Sequence, residues 1–219
     1  MTSWATMSSP MWSIVIPVKR PEHAKTRLSD AVGDLRPNMA RAFAADTVAA
    51  ALACASVDQV VVVTDDDATT RTAREHGAVV VPDSPDAGLN AALRHGADEA
   101  RRRLPSTGVA AIAADLPALR PEELGRVLAV AAQHRESFLA DAAGVGTTVY
   151  AVAPDLVFAP QFGGRSRAAH RAAGAVEIDL DDVPSVRRDI DTPVDLWDAM
   201  RLGMGAHSES VMPHLDAAF

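Results

Sequence analysis

Cysteine, aromatic residues and long apolar runs are all scarce in this 219-residue chain. The one cysteine, Cys54, excludes an intrachain disulfide and, set in an alanine-rich helical stretch, reads as a buried thiol. Phe, Trp and Tyr make up 4% of the residues, so the core has to be built from small aliphatic side chains. The best candidate for a membrane span, around Ala42–Val57, is interrupted by Asp46. The first ten residues have neither the basic start nor the apolar stretch of a signal peptide, so the expected location is the cytoplasm. Glycine is missing from the loop after the first strand, which excludes a P-loop and a dinucleotide fingerprint there. Positive charge is in deficit: a net charge of −8 excludes a nucleic-acid-coating surface but permits a local basic pocket. No two histidines stand at metal-ligand spacing, no Ser-His-Asp order can be defended, and the scattered histidines read mostly as surface residues.

What is present fits one domain of alternating strands and helices. Hydrophobic residues are 48% and charged residues 23% of the chain. Trp12–Val18 reads as a β-branched strand and Lys19–Asp30 as a basic loop. Leu35–Ser56 follows as a long helix, then Val57–Thr64 as a strand ending at Asp65, Asp66 and Asp67. Ala68–His76 reads as a helix with Gly77 as its cap, Ala78–Val81 as a strand, and Leu89–Leu104 as a helix. Val109–Ala114 is apolar throughout, the pattern of a central strand covered on both faces. It ends at Asp115, and Pro117 takes the chain out of the sheet. A helix over Pro121–His134 comes next. The second half is β-rich: strands at Ser137–Asp141 and Thr147–Ala153, a short helix at Arg167–Ala173, a strand at Ala175–Leu180, and a last helix at Thr192–Leu202 with Asp191 or Thr192 as its N-cap. The predicted class is α/β, a Rossmann-like, mostly parallel twisted sheet flanked by helices with an inserted β-rich segment. The predicted organisation is a loose segment at 1–11, the domain at 12–203, and a flexible tail at 204–219.

Three stretches carry chemistry. Lys19, Arg20, Lys25 and Arg27 crowd the loop after the first strand, where α/β nucleotide-binding proteins meet phosphate. Without glycine, that loop has to hold phosphate through side-chain charge. In RRDIDTPVDL, Arg187–Leu196, an extended backbone puts Asp189 and Asp191 on one face and Ile190 toward the core. Asp189 has no capping role to explain it, so with Asp115 it forms the sparse carboxylate set that magnesium prefers. In FGGRS, Phe162–Ser166, the Gly163 and Gly164 backbone with Arg165 and Ser166 offers a second anion site, with His170 a turn later.

With IPVKRPEHAKTRL, GLNAAL, ADLPAL, GVGTTV, FGGRSRAAH and RRDIDTPVDL in place from Trp12 to Gly203, the chain resembles the phosphoenolpyruvate/2-phospholactate guanylyltransferases of deazaflavin coenzyme F-420 biosynthesis, within the nucleotidyltransferase superfamily. The resemblance implies transfer of GMP from GTP to the phosphate of a small phosphorylated carboxylic acid, with release of pyrophosphate and with Mg2+ as cofactor. The acid it implies is phosphoenolpyruvate by preference, with 2-phospholactate or 3-phosphoglycerate as the alternatives. It puts the metal on Asp115 and Asp189 with Asp191 nearby, and the triphosphate on Lys19, Lys25 and Arg27. It puts the base against Gly88, Leu89 and Asn90, and the acceptor against Thr147 or Thr148, Gly163 and Ser166. The catalytic set it implies is Asp115, Asp189 and Lys25. Expected partners are GTP and the acid, with no nucleic acid and no membrane, in a monomer or homodimer. The alternatives are a nucleotidyltransferase of the same fold using CTP or UTP, and a non-catalytic nucleotide-binding module.

Overall fold

A computed structural model describes residues 10–19, 33–84 and 86–212. Its strands are β1 (Trp12–Pro17), β2 (Val57–Val63), β3 (Val79–Val81), β4 (Gly108–Ile112), β5 (Glu136–Ala140), β6 (Thr147–Val152) and β7 (Val176–Glu177). The helices are α1 (Arg36–Ala53), α2 (Asp67–Glu75), α3 (Leu89–Arg103), α4 (Pro121–Ala131), α5 (Ser166–Ala172), the single turn α6 (Pro184–Arg187), α7 (Pro193–Leu202) and α8 (Ala206–Val211). The strands form one sheet in the order β3-β2-β1-β4-β6-β5-β7. β1 pairs in parallel with β2 and β4, and β2 with β3; β6 is antiparallel to both β4 and β5, and β7 runs parallel to β5. Only β6 therefore runs against the others, and the β-rich second half widens the first sheet. No helix of the described residues is long and apolar enough to cross a membrane.

Strand alternation divides the core. Ile14, Ile16, Val60, Val62, Ala110 and Ile112 face α1 and α4, whereas Val15, Val61, Val63, Val109 and Ala111 face α3. With both faces covered, the central strands are apolar at nearly every position, which is the pattern seen in the sequence. The scarcity of aromatics permits close layers: a Cβ at Gly96 of α3 would lie 2.5 Å from the Val15 side chain, so that crossing requires glycine. Cys54 is buried, and desolvation raises its thiol pKa, as an inert core thiol requires.

Two expected segments need correction. The strand placed at Ala175–Leu180 shrinks to Val176–Glu177 at the sheet edge, and beyond it the Arg187 guanidinium binds the Ala140 and Leu180 carbonyls. The tail expected to be loose from 204 contains α8, tied down by Asp46 of α1, whose buried carboxylate accepts from the His207 and Ser208 backbone N–H groups at 3.0 and 2.8 Å. The residue that interrupts the apolar run in the sequence is thus the anchor of this helix. Asp66, the middle of the acidic trio after β2, caps α2 by accepting from Thr69 N at 2.8 Å. Arg41 binds the same carboxylate through two guanidinium nitrogens and, as the largest cause, holds its pKa down to about 2.

Candidate active site

A cleft of about 710 Å³ opens at the carboxyl ends of β1 and β4. The chain runs outward from β1 through β2 and β3, then returns to add β4 on the other side of β1. That reversal leaves a crevice at the strand ends, where ligands bind in open α/β sheets. The cleft is lined by Lys19 after β1, Leu89 at the start of α3, and Asp115 after β4.

Asp115 is held from both flanks. Thr47 of α1 places its hydroxyl oxygen 3.2 Å from the Ala114 carbonyl and accepts from Leu116 N at 3.1 Å. The Asp115 carbonyl in turn accepts from Ile190 N at 3.2 Å. Ile190 is fully buried against Met39, Phe43 and Leu196, and its neighbours Asp189 and Asp191 both line the cleft. The expected arrangement, apolar Ile190 inward with flanking carboxylates on the cleft side, is present. Its backbone is an irregular segment after α6, where a regular extended stretch is expected.

The alternative caps of the last helix resolve to Thr192. Its side chain accepts from Asp195 N while Asp195 accepts from Thr192 N at 2.8 Å, a reciprocal capping box. Arg188, also on the cleft, bonds Asp195 at 3.1 Å and Asp198 at 3.2 Å. The preceding arginine differs in role, since Arg187 is spent on the Ala140 and Leu180 carbonyls.

The donor set fits a hard divalent cation. Asp115, Asp189 and Asp191 line one cleft, and among the described residues no group of three or more His, Cys, Asp or Glu side chains is placed to hold a metal ion by itself. A small divalent ion that keeps waters and takes substrate oxygens calls for such an open set.

The β5–β6 turn and the FGGRS loop also line the cleft. Asp141 accepts from Val145 N at 2.9 Å and Gly146 N at 2.7 Å, closing the turn. The ladder then slips, Leu139 pairing with Val149 but Ala140 with Thr147, so β6 carries a bulge at Thr148. Thr147 lines the cleft, whereas Thr148 is fully buried, lies outside the cleft lining, and keeps an Oγ1 with no hydrogen-bond partner among the described residues. Gly163 and Ser166 both line the cleft. Gly163 has φ +103°, a backbone conformation that only glycine adopts without strain.

Gly88 and Asn90, expected at the base with Leu89, are not on the cleft lining. Asn90 donates through Nδ2 to the Phe162 carbonyl at 2.9 Å and accepts at Oδ1 from Phe162 N at 2.8 Å. It therefore clamps the FGGRS loop to the start of α3, a contact spanning 72 residues of chain. Lys25 and Arg27, with Arg20, lie outside the described residues.

His170 is an exception to the expectation that most histidines lie at the surface. It is fully buried, with its ring stacked on Tyr150 at 4.7 Å and against Phe138 at 5.5 Å. Burial pushes its pKa down to about 4, opposed only in part by the Ser166 carbonyl. The available signal is the spacing: Ser166 and His170 are four apart, one turn of α5, and both are buried. Thr47 and Asp141 leave no comparable local trace.

The chain matches the family model described as guanylyl transferase CofC like over residues 12–217. It is 55% identical over 206 residues to the phosphoenolpyruvate guanylyltransferase of Thermomonospora curvata, covering 94% of this chain and 90% of the relative. Against the protein of the same name from Streptomyces coelicolor it is 56% identical over 205 residues, covering 93% and 97%. Among solved structures, 4-diphosphocytidyl-2C-methyl-D-erythritol synthase superposes with TM-score 0.58 at 13% identity over 89% of this chain and 99% of that one. A cytidylyltransferase from Leptospira borgpetersenii superposes with TM-score 0.56 at 14% identity over 95% of each. At such identities the likeness is one of fold.

Proposed function

We propose, for a chain that belongs to the CofC-like guanylyl transferase family, the transfer of GMP from GTP to the phosphate of phosphoenolpyruvate. A phosphate oxygen of the acid bonds to the α-phosphorus of GTP. The bond from that phosphorus to the oxygen bridging the α- and β-phosphates breaks, and pyrophosphate leaves. The product is enolpyruvoyl-2-diphospho-5'-guanosine, which places the reaction in coenzyme F-420 biosynthesis. The observation that carries this reading is that Asp115, Asp189 and Asp191 line the same cleft as Thr147, Gly163 and Ser166. The strong identity to relatives named for this activity supports it.

The chemistry explains the residue types. The acceptor phosphate is already an anionic nucleophile at neutral pH, so the protein needs no general base. The obstacle is bringing two anions together, and the site answers with charge and donors. Asp115 and Asp189, with Asp191, would hold Mg2+, which when bound neutralises phosphate oxygens. Lys19 lines the cleft and would hold the triphosphate, and the family resemblance implies the same task for Lys25 and Arg27. Thr147, Ser166 and the Gly163 backbone receive the acceptor. A cytoplasmic location is part of the reading, in keeping with the lone reduced thiol of Cys54.

The deciding experiment measures pyrophosphate release with GTP, ATP, CTP and UTP, each against phosphoenolpyruvate, 2-phospholactate and 3-phosphoglycerate. Fastest turnover is expected for GTP with phosphoenolpyruvate. Preference for CTP or UTP, or no turnover with any pair, would refute the reading.

A further inference from the structure

We propose that His170 is a positioning residue for the acceptor's carboxylate: its Nδ1–H donates to Thr147 Oγ1, so the threonine hydroxyl proton is turned into the cleft as a donor to the acid. This rests on the reading of the cleft as the site of GMP transfer to a phosphorylated carboxylic acid.

The argument starts from the ring nitrogens. A neutral imidazole has one N–H and one acceptor nitrogen. Gln161 N donates to His170 Nε2 at 2.9 Å, so Nε2 carries the lone pair and the proton sits on Nδ1. Nδ1 lies 3.0 Å from Thr147 Oγ1. A protonated Nδ1 cannot accept, so the Thr147 hydroxyl has to send its own proton elsewhere and offers the ring N–H an acceptor beside the Ser166 carbonyl one turn back. Thr147 lines the cleft, and His170 is its one side-chain partner among the described residues. A hydroxyl that accepts one hydrogen bond becomes a better donor of the next.

Aromatic neighbours hold the ring plane, and the Gln161 N–H keeps the lone pair on Nε2. Tyr150 stacks on it at 19° between planes, Phe138 at 30°, and Phe162 meets it edge-on at 79°. Phe162 is in turn fixed by Asn90. The result is a hydroxyl with one lone pair committed to the ring and its proton left for the cleft. A carboxylate, which only accepts, is the complementary group, and an amide or alcohol at the same point gains less.

Four variants and one spectrum test this. Asparagine reproduces a donor near Nδ1 and drops the Nε2 acceptor; glutamine does the reverse. Pyrophosphate release is measured against phosphoenolpyruvate at saturating GTP and against GTP at saturating phosphoenolpyruvate, with melting temperature alongside. His170→Gln and Thr147→Val are expected to raise the phosphoenolpyruvate KM by roughly ten- to hundredfold, the scale of a hydrogen bond to a charged group, with the GTP KM within about twofold. His170→Asn and Thr147→Ser are expected to recover most of the loss. Equal effects of Gln and Asn at 170, or equal changes in both KM values, would make His170 a packing residue and overturn the proposal. Should the 170 variants fail to fold, equal KM values for Val and Ser at 147 would overturn it. Nitrogen-15 NMR of the unliganded wild-type protein near neutral pH provides a readout independent of turnover: Nδ1 is expected protonated and Nε2 bare. An Nε2–H ring or an imidazolium would overturn the proposal, whereas an inactive wild type with the predicted tautomer would count against the substrate assignment alone.

Discussion

Replacing Asn90 separates two roles that its position allows. The resemblance puts Asn90 at the guanine base, but both ends of its amide are committed to the Phe162 backbone, at 2.9 and 2.8 Å. Asn90→Ala removes both bonds and leaves a backbone N–H and carbonyl to find water. At about 0.5–1.5 kcal/mol net for each bond, the loss is roughly 1–3 kcal/mol. For a chain of this size that lowers the melting temperature by roughly 2–12 °C. If the loop has to be held for the acceptor to bind, the same energy appears as a rise of about five- to 150-fold in the acceptor KM. Asn90→Asp keeps the acceptor oxygen for Phe162 N and loses the donor, so it should fall between wild type and alanine in both measurements. Steady-state pyrophosphate release, varying each substrate at saturation of the other, decides the matter, with melting curves run on the same samples. A large rise in the GTP KM with an unchanged phosphoenolpyruvate KM would refute the clamp and return Asn90 to the base.

Asp115→Asn and Asp189→Asn should each cut turnover by more than about a hundredfold with unchanged circular dichroism, since each removes an anionic oxygen from a sparse metal set; normal turnover at ordinary magnesium would remove that residue from the site. Thr47→Val should cost about 1–3 kcal/mol by stranding Leu116 N and should lower kcat by loosening the turn that carries Asp115; denaturant unfolding and single-turnover rates check the two parts. Asp66 titrates at about 2 in the folded chain, below the ordinary carboxylate range near 3.9. Its stabilising effect is therefore present above about pH 4 and is lost as the pH falls toward 2. Arg41→Met should move the acid-unfolding midpoint to higher pH, and an unchanged midpoint would show that the pair contributes nothing there.

Much of this protein is local and therefore legible in the chain itself. The apolar run of β4, the exit at Pro117, the inward Ile190 between Asp189 and Asp191, and Gly77 after α2 all follow from strand and helix periods and turn chemistry, which act over a few residues. The choice of Thr192 over Asp191 as cap was also within reach, because Asp195 stands three residues on and completes a capping box. The tertiary structure alone decided the rest. Sheet order and the reversed β6 depend on which strands meet, and neighbouring strands can be far apart in sequence. Thr47 bracketing Asp115, Asn90 holding Phe162, Asp46 anchoring α8 and His170 orienting Thr147 are each a hydrogen bond between segments that periodicity does not connect. A polar side chain on an otherwise apolar face shows only that some partner is required, since a buried polar group must be satisfied; which partner it meets is fixed when the layers close.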